Sequence, residues 1–189
     1  MSSIGARTHF TPAEYLVLER KAIYKSEYIN GEIFAMSGAT LTHNLITVDI
    51  ATELNILLRE SECRVVTNDL RVRTSPDVSY FYPDVIVYCD EPKFEDDSFD
   101  TLLNPVIIME VLSPSTEEYD RNEKFEYYKR LSSLKEYILV AQDKISVEHY
   151  VIRGADWEFT TFEDPNEFLT LSTIKCNLPL KNIYRRVDL

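Results

Sequence analysis

The sequence predicts an α/β fold, of the α+β kind, and three observations carry that prediction. Runs with apolar residues at helical spacing are interleaved with β-rich runs. Asn30-Gly31 marks a tight hairpin near the start. Val106 to Leu112 is apolar except for one carboxylate, as expected of a strand covered on both faces of a sheet.

The elements follow in order. Thr11-Pro-Ala-Glu14 joins a capping hydroxyl, a proline at the first helical position and a glutamate three residues after the cap, so a short helix is expected through about Glu19. Glu27-Tyr-Ile and Glu32 to Met36 flank Asn30-Gly31, the dipeptide that best tolerates the positive φ of a two-residue turn. Residues 41–60 read as a long helix, with Leu41, Leu45, Val48, Leu54, Leu57 and Leu58 as its apolar positions. Alternation in Cys63 to Val66 and Leu70 to Arg73 predicts strands, and Val78 to Tyr88 reads as a further β-rich run containing Asp84.

Residues 90–104 form an acidic connector, read as a solvated loop because its carboxylates lack the spacing of a calcium loop. After the strand Val106 to Leu112, Ser115-Thr-Glu-Glu118 reads as a capping box opening a helix. Phe125, Tyr128 and Leu131 share one face of it, and Lys124, Lys129 and Arg130 fall on the exposed side. Ile138 to Ala141 is another buried strand, and residues 145–151 and 157–163 read as late antiparallel strands. The segment with Leu178, Leu180 and Ile183 has no clear period.

The 189 residues fit one domain able to bury a core without staples. With 44% hydrophobic and 12% aromatic residues, the chain has a globular composition. Met1 to Arg7 lacks the apolar core of a signal peptide, and no apolar run is long enough to cross a bilayer, so a soluble cytoplasmic protein is expected. Cys63, Cys89 and Cys176 lack metal-binding or redox spacing and are expected to be reduced. A formal charge of −12 opposes phosphate contact over the whole surface, so any nucleic-acid contact must be local.

Asp84 and Glu110 stand out because each lies in an apolar, strand-like run. A carboxylate withdrawn from water costs several kcal/mol unless a cation, a metal or hydrogen bonds compensate it. Magnesium wants oxygen ligands, keeps several waters and needs only one or two protein carboxylates, so this pair suffices if the two strands are neighbours. The alternative is a pair of strand-end carboxylates satisfied by backbone N–H groups or an arginine.

Tyr82-Pro-Asp84, Met109-Glu110-Val-Leu-Ser-Pro-Ser-Thr116, Asp120-Arg-Asn-Glu-Lys124 and Glu136-Tyr-Ile-Leu-Val140 together resemble a family of bacterial restriction-endonuclease-like proteins with the PD-(D/E)XK nuclease fold. Glu27 to Glu32, Met36, His43 and Asp69 to Arg73 extend the likeness over most of residues 11–151. The resemblance implies a mixed central sheet flanked by helices, with the hairpin in front and the extra antiparallel strands behind. It also implies that Asp84 and Glu110 hold magnesium, with manganese as a substitute, and that a lysine two residues after the glutamate is catalytic. Position 112 is Leu, so that lysine is missing, and Lys124 stands where the family places a substitute. Asp120 is four residues before it, on the same helical face, and could hold its ammonium.

Glu27 is either a further acid at the site or an exposed hairpin residue. His43 is a substrate contact, a proton acceptor or simply a residue near a helix start. Asp69 is equally open. Arg64, Arg71, Arg73, Arg121, Lys129 and Arg130 are candidates for a local basic patch. The function expected is metal-dependent hydrolysis of DNA by a homodimer; the alternative is an inactive nuclease-fold protein that binds nucleic acid or protein. Scattered glycines exclude a dinucleotide or phosphate-binding loop, His9, His43 and His149 lack metal spacing, and Tyr127 and Tyr128 read as packing residues.

Overall fold

A computed structural model describes residues 9–75 and 78–189; the Met1 to Arg7 stretch read above for a leader lies outside the described residues. Helix α1 (Pro12–Glu19) opens with the expected capping box between Thr11 and Glu14. Strands β1 (Ser26–Ile29) and β2 (Glu32–Ala35) form the hairpin, with Asn30 at φ 48 and Gly31 at φ 95. A side chain at Gly31 would collide with the His9 ring.

Helix α2 (Leu41–Leu57) forms as expected but buries only part of the expected apolar set. Ile46, Ile50, Leu54 and Leu58 enter the core on an i, i+4 row, whereas Leu41, Val48 and Leu57 are exposed. Leu54 and Leu58 of the expected positions lie in this row, and packing against the sheet selects it, with Ile46 and Ile50, over the exposed apolar residues.

The sheet core is a six-stranded mixed sheet of order β11-β10-β9-β8-β6-β3, and a five-stranded sheet of order β2-β1-β5-β4-β7 adjoins it. The strands are β3 (Arg64–Thr67), β4 (Arg71–Arg73), β5 (Ser79–Phe81), β6 (Val85–Tyr88), β7 (Thr101–Leu102), β8 (Ile107–Leu112), β9 (Glu136–Ala141), β10 (Val147–Arg153) and β11 (Asp156–Phe162). The run expected from Val78 to Tyr88 is therefore two strands. β5 belongs to the smaller sheet and β6 to the larger, and Tyr82-Pro83-Asp84 carries the chain between them. Pro83 has no N–H for a ladder, so a break there costs nothing.

The acidic connector is only partly a loop. β7 pairs parallel with β4, and Asp96 and Asp100 are tied to Arg20 and Arg71. Those guanidinium groups, Arg20 first, hold the Asp100 carboxyl well below its usual range against the opposing effect of burial.

β8 and β9 are parallel neighbours, and both are buried along their whole length. Ile107, Met109 and Val111 face α2, together with Leu169 and Leu171 of β12 (Phe168–Leu171), Leu178 of β13 (Cys176–Pro179) and Leu180 of α5 (Leu180–Ile183). Ile108 and Leu112 face the crossover between β8 and β9, where Phe125, Tyr128, Leu131 and Leu134 cover them. That crossover consists of α3 (Glu117–Tyr119), a π turn (Asp120–Lys124) and α4 (Phe125–Tyr128).

The capping box expected at Ser115 does not form. The Ser113 carbonyl already accepts the Thr116 and Glu117 N–H groups, and the Ser115 hydroxyl bonds that of Ser113. Nor are the cysteines all reduced. The register that puts Arg64 opposite Tyr88 makes Cys63 and Cys89 the next pair outward, and they form a disulfide; Cys176 is free.

Candidate active site

The register of β6 against β8 sets Val85 opposite Met109, so the next pair outward is Asp84 and Glu110. Asp84 sits at the start of β6 rather than inside a strand, and Glu110 lies within β8. The two are linked directly: the Val111 N–H donates to Asp84 Oδ2 at 2.8 Å, and the Asp84 N–H donates to Glu110 Oε2 at 3.3 Å. Asp84 Oδ1 meets His43 Nε2 at 2.9 Å, which brings the first turn of α2 to the same place.

Around Glu110 the crossover closes in. Lys124 Nζ stands 2.9 Å from Glu110 Oε1, 3.2 Å from Glu27 Oε1 and 3.6 Å from Asp120 Oδ1. Lys124 is only 6% exposed, which overturns its expected place on the solvated side of the helix. The π turn carries Asp120 and Lys124 inward together, and extra-wide turns of this kind recur at functional positions. Glu27 is buried with them, so the exposed-hairpin alternative does not hold.

The Tyr128 hydroxyl donates to Glu110 Oε1 at 2.9 Å, a contact the sequence reading assigned to packing alone. Its signal was present, because Asp120, Lys124 and Tyr128 recur every four residues and so share a face. The Tyr119 hydroxyl is also buried and has no hydrogen-bond partner among the described residues. Burial, and then the charge of Glu27, push its pKa far up.

Charge is unbalanced here. Glu27, Asp84, Glu110 and Asp120 surround one lysine and one histidine. Desolvation pushes the Glu110 carboxyl up to about 8; the Lys124 ammonium pulls it down, and Asp84 and Asp120 push it up further. Burial opposes the charge on Lys124, but Glu110 and then Glu27 overcome it and hold the ammonium charged. Glu27 Oε1 accepts no well-formed hydrogen bond despite its nearness to Lys124.

A cation would fit this surplus of buried negative charge. Among the described residues no group of three or more His, Cys, Asp or Glu is arranged to hold one. The donor set is thus the Asp84/Glu110 pair, which is within what magnesium requires of a protein.

The remaining candidates lie elsewhere. Asp69 is exposed and pairs with Lys25. The expected basic patch is neutralised: Arg71 pairs with Asp100, Arg73 with Glu95, Arg121 with Glu117 and Glu148, and Lys129 with Glu126. Arg64 donates to the carbonyls of Ser61 and Cys63, and Arg130 lies over the Tyr127 ring. Four of the six cations are thus paired with carboxylates.

Residues 12–181 match the model of the Uma2 family, described as "Putative restriction endonuclease". The chain belongs to the Uma2 family. Two curated relatives support the assignment, both uncharacterised proteins of Synechocystis sp. (strain ATCC 27184 / PCC 6803 / Kazusa). The protein sll1609 is 39% identical over 93% of this chain and 99% of its own length. The protein slr1290 is 33% identical over 93% of this chain and 91% of its own. The fold is similar to the crystal structure of a "putative nuclease belonging to DUF820" from Anabaena variabilis ATCC 29413, with a TM-score of 0.76, 20% identity and coverage of 93% of this chain and 98% of that one. The Uma2 chain therefore has a restriction-endonuclease-like α+β fold. Among its described residues, no helix is long and apolar enough to cross a membrane.

Proposed function

We propose that this Uma2 protein is a cytoplasmic, magnesium-dependent endonuclease that hydrolyses DNA phosphodiester bonds. In this reading Asp84 and Glu110 hold the metal and Lys124 is the displaced catalytic lysine. One observation carries it: a buried ammonium lies 2.9 Å from a buried glutamate that adjoins a second carboxylate. Buried charge that is not fully neutralised marks a candidate functional cluster.

Bound magnesium, or manganese in its place, supplies a Lewis acid and lowers the pKa of a coordinated water. The chain's own residues do the rest. The Val111 N–H and His43 fix the two oxygens of Asp84, and the Tyr128 hydroxyl fixes Glu110. Lys124 donates a hydrogen bond to the attacking water or to a phosphate oxygen, favouring the charge that grows there in the transition state. Glu27 and Asp120 position that ammonium.

A second reading has an observation of its own. Leu112 is buried in the core where the usual motif has lysine, and Lys124 is enclosed by carboxylates, as in an inactive nuclease fold that binds nucleic acid or protein. Cleavage of mixed DNA substrates with magnesium or manganese separates the two. Asp84→Asn and Glu110→Gln are each expected to lower cleavage on the order of a hundredfold or more. Activity that survives both substitutions removes the nuclease reading, and calorimetry that finds no magnesium binding at millimolar concentration favours the binding module. Cutting both strands suits a two-fold homodimer, which sedimentation would register as twice the chain mass.

A further inference from the structure

Beside the carboxylate cluster, on the α2 face of the large sheet, lies a group of hydrogen-bond donors that the proposed cleavage does not use. Gln142 directly follows β9, at the carboxyl ends of the parallel strands β8 and β9, and is 8% exposed. Its Oε1 accepts the Thr40 hydroxyl at 2.6 Å. Thr40 is the N-cap of α2, and its Oγ1 also accepts the His43 N–H at 3.1 Å. The hydroxyl has its proton free for Gln142, and the amide stands with its oxygen toward Thr40. Gln142 Nε2 is then left buried with no partner among the described residues.

A buried amide donor without an acceptor is costly and needs a reason. Here the reason lies beside it. The N-terminus of a seventeen-residue helix carries partial positive charge and free N–H groups, and α2 has no acidic side chain in its first turn to occupy them. Helix α1, by contrast, fills its own N-terminus with Glu14. Residues 37–40, which lead into the helix, are exposed, and among the described residues nothing lies within 4 Å of the space beside Gly38. An unpartnered amide donor on the residue bonded to the N-cap, beside the positive end of the helix dipole, calls for an acceptor, so the ligand that fits is an anion.

We infer that Gln142 and the N-terminus of α2 form a phosphate subsite, which takes a non-bridging oxygen of a phosphate flanking the one that is cut. The assignment of substrate class rests on the nuclease reading above. His43 makes the two sites contiguous, because it belongs to the first turn of α2 and also touches Asp84. A strand whose scissile phosphate lies at Asp84 and Glu110 therefore passes the end of α2. A helix N-terminus with one neutral amide suits a singly charged phosphodiester, and such a subsite adds affinity without the basic surface that this chain lacks.

The test is binding of thymidine 3′,5′-bisphosphate and of inorganic phosphate, with calcium replacing magnesium to stop cleavage, followed through the Leu41 and Thr42 amide resonances. Gln142→Glu is the informative variant: it keeps the acceptor for Thr40 and replaces the free NH2 by an oxygen. Gln142→Met removes the donor without adding charge and guards against a misfolded first variant. Wild type is expected to shift both amides with the bisphosphate, Gln142→Met to bind about tenfold more weakly, and Gln142→Glu to lose the shift. With DNA and magnesium, both variants should raise KM by more than they lower kcat.

Equal binding by all three proteins, or no shift at Leu41 and Thr42, would overturn the inference. So would shifts with inorganic phosphate but none with the bisphosphate, which would describe a site for the free ion. The binding arm requires no cleavage. A protein that binds as expected but never cuts DNA fails the nuclease reading and keeps the subsite, and one that cuts without regard to Gln142 does the reverse.

Discussion

Lys124→Met is expected to abolish DNA cleavage and to destabilise the fold by about 3–5 kcal/mol at neutral pH, the usual cost of removing one partner from a buried ionic cluster. Methionine fills the stem's volume, so the loss isolates the charge. Without the ammonium, Glu27, Glu110 and Asp120 stay buried with no cation among them. The Glu110 carboxyl, already pushed up by burial, then loses the ammonium that pulls it down and favours the protonated form more strongly still. The sign follows: the variant is most stable at acid pH and loses stability as pH rises, so its deficit against wild type narrows between pH 7 and pH 5. Lys124→Arg keeps the charge and should recover much of the stability. A planar fork does not reproduce the compact ammonium between three carboxylates, so cleavage should stay low. Urea unfolding at the two pH values and a cleavage assay check both halves, and full activity in Lys124→Met would remove the lysine from the mechanism.

Much of this site is legible in the sequence because its parts obey local rules. The Asn30-Gly31 turn fixes the hairpin that carries Glu27, and the apolar run around Glu110 declares a buried strand with one anomalous carboxylate. The family resemblance supplied Lys124, but helical patterning alone put it on the wet side. Its burial depends on the π turn, and a change in helical pitch leaves no mark in a pattern read at 3.6 residues per turn. The face of α2 is legible only in part for a related reason: Leu54 and Leu58 are buried as their spacing predicts, but Leu41, Val48 and Leu57 are apolar too, and only the partner sheet chooses among them. The Cys63–Cys89 pair and the split between β5 and β6 likewise follow from long-range register, which a single sequence does not specify.

Glu136→Leu is expected to cost roughly 2–5 kcal/mol at pH 7, from stranding the buried His149 ring and the half-buried Thr173 N–H, while sparing cleavage by the folded fraction. Glu136 belongs to the motif that carries the family resemblance and, like Glu110, is a buried glutamate on one of two adjacent parallel strands. The two have opposite fates. Glu136 Oε2 lies 2.7 Å from His149 Nε2, and its Oε1 accepts the Thr173 N–H at 2.6 Å, tying β9 to β10 and to the turn between β12 and β13. Burial raises its pKa, but the hydrogen bonds from His149 and Thr173 outweigh burial, and the net shift is downward from 4.5. A lowered folded pKa gives stability that is present above pH 4.5 and lost as pH falls through the folded value. The gap between wild type and Glu136→Leu should therefore close on acidification, and an undiminished gap at pH 3 would rule this account out. At Glu110 burial wins and the carboxyl is pushed up to about 8, with Tyr128 and Lys124 as its partners and an acid for a neighbour. A structural carboxylate is one whose surroundings have already satisfied its charge. By that criterion Glu136 holds strands together, and Glu110 is the glutamate of this pair that a cation would relieve.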